Sequence, residues 1–509
     1  MVPPVRQYPS PEVRPVLRAE DVALEAVEPA RLSPKQVEDL ADLRRHTSYG
    51  LWHEVGVGKT HPTAYRLLEV VAPGVGDVTF GERRRAIVVM KRSILRQWVE
   101  KIHSLVLGYR AEHPEWAGVT VGILTGGQKP EVVFGRTVPD IVLVNYDYIP
   151  MIRPWLDSII DSVAALVLDE AHKVKGFRGF RSNKGVRARH LMELGPQVPL
   201  RYALSGSPVL KPESSDVWAL YHFLDPTIFG ASRWRFVQEF FYNVSHDHRY
   251  ERLVLKPGAG TEISRRMYLI AKRRLKRESP GEFPVPRRLP YYVEMPRAVE
   301  ARYRELERTM ITTIDGAPIT RVMLLSRLMA LQQIASGFLL DNGRAHCIDA
   351  SHKWEQVVDI LDEVGDEPVV VWAHFRHEIE WLSKELDRIG RRNVIAYGEM
   401  GSKLDENVDA FKRGAVNTIV GQPATVGAGM DFQRAQHSIR FSRSYINEDF
   451  IQSEGRTNRA FSAFDETVHH EIVTAETRDQ EVYDALIHGR NLADTITLDF
   501  VAPPQRNIG

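Results

Sequence analysis

Short aliphatic runs that alternate with helical stretches constrain this chain more than any other feature. From about Ala86 they read AIVVM, VGIL, DIVLVNY, ALVLDE and YALSG, and a second set follows much later as PVVVWAH, NVIAYG, NTIVGQ, SIRFS and HHEIVTA. Runs of this length without polar alternation, fed by helices, are parallel strands buried on both faces. Two sets mean two α/β units. The 509 residues exceed one ordinary core, and a prior of about 150 residues per domain allows roughly three units.

Between the two sets, 225–352 reads as helical, with VEARYRELERTM and RVMLLSRLMALQQIASGF. Inside it, KRRLKRESPGEFPVPRRLP carries prolines after Ser279 that argue against regular structure, so the crossing between the lobes is expected there. The expected organisation is an N-terminal arm over 1–30, a first α/β lobe over 31–240, a helical insertion and linker over 241–345, and a second α/β lobe over 346–509.

Composition excludes several classes. Lys and Arg total 67 against 66 Asp and Glu, so a polyanion must be met by local basic patches and not by a global field. The single cysteine, Cys347, excludes an intramolecular disulfide and a cysteine-based zinc or iron–sulfur site. No apolar run reaches the ~18 residues of a membrane span, and the start MVPPVRQYPSPEVRP has no signal-peptide pattern. A cytoplasmic setting in a prokaryotic or viral host cell, with no membrane partner, is the expectation.

Three strings carry chemistry. HEVGVGKT, His53 to Thr60, precedes a helical pattern. Gly56 and Gly58 let backbone wrap a phosphate, the following helix N-terminus aims its amides at the anion, Lys59 can reach the β and γ phosphates of ATP, and Thr60 can hold Mg2+. His53 stands where the strict motif has its first glycine. Asp169-Glu170-Ala171-His172 ends the run AALVL, at the carboxyl edge of a parallel sheet where ligands bind. Asp169 suits Mg2+, and Glu170 suits the polarising of an attacking water. QSEGRTNR begins on a helix of the second lobe, and Arg456 and Arg459, three apart, share a face that can aim two guanidinium groups at a γ-phosphate.

In this order the motifs resemble those of superfamily-two helicases, specifically the Swi/Snf-type double-stranded DNA translocases in a minimal, viral or bacterial form, over about Leu32 to Leu486. The resemblance implies two RecA-like parallel-sheet lobes with a helical insertion between them. LSPKQ is similar to the adenine-recognition segment and implies a nucleotide contact for Gln36, with Gln452 as a second one; Ser33 and Lys35 replace the usual Arg and Tyr. VVMKRSILRQW resembles the first DNA-contacting motif, with Lys91 in place of proline. ALSGSPV resembles the motif that couples ATP state to DNA grip through Ser205, Gly206 and Ser207. DVWALYHFLDPTIF, SHKWE and EIVTAETRDQEVYDAL are similar to segments that mark the subfamily. ATVGAGMDF aligns through Gly427, Gly429 and Asp431, with Gln422, Pro423 and Ala424 where the family has Ser-Thr-Arg.

For DNA the resemblance places Lys173 to Arg189 beside the duplex, with Lys173, Lys175, Arg178 and Arg181 neutralising phosphates. It also implies a lobe-linking, DNA-facing helix for KRRLKR, Lys272 to Arg277. The expected activity is ATP hydrolysis driving movement along duplex DNA in replication, recombination or the displacement of bound proteins, with other replication or recombination proteins as further partners. Two rivals stand beside it. One is a strand-separating or branch-migrating helicase with the same ATPase; the other is a non-hydrolysing, ATP-gated clamp or scaffold.

Overall fold

In the computed structural model the described residues are 16–18, 29–72, 84–125, 127–135, 137–174, 177, 185–206, 216–244, 253–278, 281–312, 321–341, 344–398, 400, 402–426, 432–445, 447–459 and 463–488. The chain divides into two compact units, Met1–Glu278 and Ser279–Gly509. The stretch 241–345 is thereby shared between them.

The first unit holds β1 (Val16–Arg18), β2 (Ser48–His53), β3 (Arg85–Met90), β4 (Thr120–Leu124), β5 (Ile141–Asn145), β6 (Val163–Asp169), β7 (Leu200–Leu204) and, after the small hairpin β8 (Phe241–Asn243) and β9 (Leu253–Leu255), β10 (Ala271–Arg274). Eight of these form one sheet in the order β1-β4-β5-β3-β6-β7-β2-β10. Every pairing is parallel except β1 with β4. All seven residues of β6 are buried, as expected for a strand covered on both faces. Three helices position the chemistry: α1 (Pro34–Arg45), α2 (Thr60–Val71) and α3 (Leu95–Gly108). The last buries Leu95, Trp98, Val99, Ile102, Leu105 and Val106, a helical stripe against the sheet. Each such large side chain contributes about 1.5–3 kcal/mol by leaving water.

KRRLKR is a correction. Its first part is not a helix but β10, paired with β2 in the register Ala271↔Gly50 to Arg274↔His53. Lys272 and Arg274 alternate onto one side and meet the acidic face of α1. Lys272 Nζ lies 2.9 Å from Asp42 Oδ2, and Arg274 Nη2 lies 2.7 Å from Glu38 Oε2. These cations are therefore engaged within the first unit.

The second unit contains β11 (Val285–Val293), the hairpin β12 (Phe338–Asp341) and β13 (Arg344–Cys347), then β14 (Val369–Trp372), β15 (Asn393–Ala396), β16 (Thr418–Gly421), β17 (His437–Arg440) and β18 (Glu466–Thr474). The main sheet runs β11-β18-β17-β14-β16-β15 and is parallel throughout. Val369 and Val371 pack on one face with Ile360 and Leu382, while Val370 and Trp372 pack on the other with Val408 and Phe411. Helices Arg297–Thr312 and Arg321–Ala335 lie where the helical pattern was read.

β11 is the second correction, because the proline-bearing stretch forms a nine-residue strand. Among the described residues it is an edge strand with one neighbour, β18. Val285 N donates to Asp465 O, and Ala475 N donates to Val293 O, so odd-numbered residues turn their backbone groups toward β18. Pro286 and Pro290 fall on the opposite parity, where no ladder N–H is needed. No helix of the described residues is long and apolar enough to cross a membrane.

Candidate nucleotide site and arginine helix

The first site is built on the ends of adjacent strands. In the sheet, β7 lies between β6 and β2, with Leu204 opposite both Asp169 and Leu51. The glycine loop after β2, the Asp169–Glu170 pair at the end of β6 and Ser205–Gly206 after β7 therefore share one carboxyl edge. The loop Glu54–Lys59 turns through Gly56 and Gly58, each at φ 93°, a conformation that side chains resist. It delivers Thr60 as the first residue of α2.

Lys59 Nζ donates to the carbonyl of His53 at 3.1 Å. A Cβ on Gly206 would come within 2.6 Å of Val55 Cγ2 and 3.3 Å of Lys59 Nζ, so only glycine keeps space beside the ammonium. Gln36 reaches the same loop, its Nε2 donating to Gly58 O at 3.2 Å. Its position follows from local chemistry: Ser33 caps α1, Pro34 opens it, and Gln36 Oε1 accepts from Ser33 N at 2.9 Å, a capping box.

Asp169 is held on three sides. Its Oδ2 accepts from Trp98 Nε1 at 2.7 Å, its Oδ1 from Glu170 N at 2.8 Å and its carbonyl from Tyr146 OH at 2.9 Å. Burial, joined by the charge of Glu170, pushes its carboxyl up to about 6. Glu170 stands in the left-handed region at φ 52°, ψ 50°, a strained conformation for a residue with a side chain. Burial would raise its carboxyl, but the hydrogen bond and charge of His172, then Lys59 and Lys91, outweigh that and hold it low. His172 Nδ1 sits 3.3 Å from Glu170 Oε2 and 3.2 Å from Ser205 Oγ, so one imidazole touches both the acidic pair and the coupling segment.

In the second unit, Gln452 and Arg456 lie on the helix Asn447–Thr457 and both are buried. The expectation that Arg459 shares their helical face needs correction. The last helical bond runs from Asn458 N to Glu454 O, and Thr457 and Asn458 are weak helix formers, so Arg459 lies beyond the end. The helix is pinned twice. Arg440 Nη1 donates to Ser453 Oγ at 3.0 Å, and Arg288 of β11 grips Glu454 through two bonds of 2.6 and 2.8 Å.

Behind Arg440 runs a buried chain of ion pairs. Arg440 Nε meets Glu471 Oε1 at 3.0 Å, Glu471 Oε2 meets Arg443 at 3.3 Å, Arg443 meets Asp479 Oδ1 at 2.6 Å, and Asp479 Oδ2 meets Lys353 Nζ at 2.9 Å. Each of these side chains is at most 2% exposed.

Two family models match the chain. The SNF2-related domain matches residues 37–337, and the helicase conserved C-terminal domain matches residues 352–461. The chain belongs to the SNF2-related family. As a member it is an ATP-hydrolysing enzyme of the helicase and translocase type. This SNF2-related chain is 21% identical over 90% of its length, and 96% of the relative's, to putative protein p41 of Acyrthosiphon pisum secondary endosymbiont phage 1. It is 26% identical over 22% of its length to the pre-mRNA-splicing ATP-dependent RNA helicase prp28 of Schizosaccharomyces pombe, of which 17% is spanned. The Sulfolobus solfataricus SWI2/SNF2 ATPase core in complex with dsDNA is similar over 92% of this chain and 93% of that one, at 20% identity and a TM-score of 0.40.

Several anticipated residues of the SNF2-related chain lie outside the described ones: Ser207, Lys175, Arg178, Arg181, Gly427, Gly429 and Asp431. Lys173 ends a short turn after Glu170. Lys91 follows β3, the strand beside β6. Trp98 and Tyr146 were not anticipated at Asp169. Trp98 ends a stretch read as DNA-contacting, and its indole instead serves the carboxylate; Tyr146 has no signal in the sequence. Arg440, Arg443 and Glu471 were also unforeseen. Nothing but a fold brings them together behind Ser453, which Arg440 alone of the three contacts.

Proposed function

We propose that the chain is a DNA-dependent ATPase that grips the phosphate backbone of duplex DNA and moves along it as ATP is hydrolysed. The observation that carries this reading is the meeting of the glycine loop, the Asp169–Glu170 pair and Ser205–Gly206 on one sheet edge, with His172 touching both of the latter. Gly56, Gly58 and Lys59 would hold the phosphates. Gln36 and Gln452 would complete the nucleotide contacts. The donor set at the edge, one hydroxyl from Thr60 and one carboxylate from Asp169, fits Mg2+ shared with phosphates. When bound, Mg2+ would supply positive charge beside the phosphates. Asp169 is already oriented for that task by Trp98 and the Glu170 amide. Glu170, kept ionised, would polarise the attacking water. Arg456 and Arg459 would supply positive charge to the γ-phosphate, and Ser205, Gly206 and Ser207 would relay nucleotide state to the DNA contacts.

Lys91, Lys173, Lys175, Arg178, Arg181, Gly427 and Gly429 are proposed to meet the DNA backbone, which positions without reading sequence. The test measures ATPase rate with no nucleic acid, single-stranded DNA, duplex DNA and RNA side by side. Duplex DNA should stimulate most; equal or greater stimulation by RNA overturns the reading. Neutralising the basic residues after Glu170 should weaken binding to two unrelated duplexes alike and flatten the salt dependence by about 0.9 per lost contact. A forked duplex should remain unseparated, and its unwinding would favour the helicase rival.

A further inference from the structure

His53 occupies a position where a strict phosphate-binding loop has glycine, and its side chain is 1% exposed. Its backbone carbonyl accepts from Lys59 Nζ at 3.1 Å. Its ring Nε2 lies 3.1 Å from Asp39 Oδ2. An ionised carboxylate only accepts, so this nitrogen carries the proton. Nδ1 is buried without a partner among the described residues, which leaves Asp39 as the ring's polar anchor. Asp39, 2% exposed, receives Arg274 on its other oxygen, with Nε at 3.0 Å and Nη2 at 2.9 Å. Arg274 also donates to Lys35 O at 3.1 Å and Glu38 Oε2 at 2.7 Å.

The backbone repeats the connection. Arg274 is the register partner of His53, Arg274 O accepts from Glu54 N at 2.9 Å, and Lys276 N donates to Glu54 Oε2 at 2.8 Å. Both residues at the entrance of the glycine loop are thus tied to β10, the last strand of the first unit, which ends at Glu278.

We infer that β10 is a positioning element for the nucleotide site, with Arg274 and Asp39 acting through His53 on the placement of Lys59. The inference rests on the nucleotide site proposed above. A glycine at position 53 could make the turn and keep the backbone pairing with β10, but it would lose the side-chain tie through Asp39 to Arg274. With histidine, the strand through which the chain leaves the first unit and the loop that would hold phosphate move as one piece. Displacement of the departing segment is then felt at Lys59, and nucleotide in the loop is felt at the departing segment.

The test titrates the full chain with a fluorescent N-methylanthraniloyl ATP and Mg2+, without DNA, beside a thermal melt of each variant. His53→Leu and Arg274→Gln should each weaken binding about tenfold. His53→Gln, which keeps a donor for Asp39, should stay within about twofold of wild type. Because the residues act in series, the double variant should lose no more than the worse single one. A folded His53→Leu that binds like wild type overturns the inference, as does a double variant whose losses multiply. Should His53→Leu fail to fold, Arg274→Gln decides by the same criterion. Wild-type chain that binds no nucleotide defeats the proposed site itself, and the inference with it.

Discussion

The two units hold their reactive groups by opposite means. In the first, direction comes from the sheet: three loops leave neighbouring parallel strands at one edge, glycines permit the tight turns, and Trp98 and Tyr146 trim the orientation of Asp169. In the second, direction comes from charge. The helix bearing Gln452 and Arg456 is fastened at Ser453 to a buried succession of ion pairs from Arg440 to Lys353. Burying ions costs several kcal/mol each unless partners and hydrogen bonds offset it. A strand edge aims a group with contiguous residues, whereas a helix lying across a sheet needs anchors drawn from distant parts of the chain.

Four measurements sharpen or break this contrast. Arg456→Ala should lower DNA-stimulated turnover by about 10³ to 10⁵, with nucleotide binding retained and the melt unchanged; a collapse of the fold would reduce Arg456 to a structural role. Glu170→Gln should cost about 10² to 10⁴ in turnover yet still bind ATP, and Lys59→Ala should lose both. If Glu170→Gln hydrolyses ATP at the wild-type rate, the edge site is misassigned. Asp479→Asn, which removes the anionic partner of Lys353 and leaves Arg443 with Glu471 alone, should destabilise the second unit by about 3–5 kcal/mol in a denaturant titration. An equal loss from Lys59→Ala would erase the distinction between the units.

The smallest effect concerns pH. Glu378 accepts from Phe375 N at 3.2 Å and from Ser442 Oγ, and burial pushes it from 4.5 up to about 7 despite Ser442 and Lys353. A carboxyl raised in the folded state stabilises fully below its unfolded value and loses that contribution as pH climbs to about 7. Glu378→Gln should therefore remove a slope on the order of 1–3 kcal/mol between those limits. An unchanged stability–pH curve would place the titration elsewhere.

What was legible in the sequence follows from the same physics. AIVVM and VAALVLD announce themselves because strands covered on both faces must be continuously apolar. β10 and β11 hide because an edge strand has one neighbour to satisfy, so AKRR and VPRRLPYYV carry cations and prolines that read as linker or helix. The glycine loop and Asp169-Glu170-Ala171-His172 are contiguous, and their chemistry needs that spacing. Trp98 reaches Asp169 from 71 residues away, and Lys353 reaches Asp479 from 126 away; periodicity carries no trace of either meeting. SHKWE and EIVTAETRDQEVYDAL could be matched as strings, yet the ion pair that joins them, Lys353 with Asp479, appears only once the fold brings the helices Ser351–Val364 and Arg478–Ile487 together.

The prolines of β11 have a consequence for the company this protein keeps. An open sheet edge is a template on which a stray peptide, or the same strand of another copy, can continue the hydrogen-bond ladder. Along β11 the even-numbered residues face that open side, and at Pro286 and Pro290 they present no N–H at all. An arriving strand would find carbonyls there without the matching donors, and the pyrrolidine rings would obstruct its approach. Two of the four even-numbered positions of β11 thus lack a donor, which disfavours continuation of the ladder at this edge while the opposite parity pairs with β18 over its whole length.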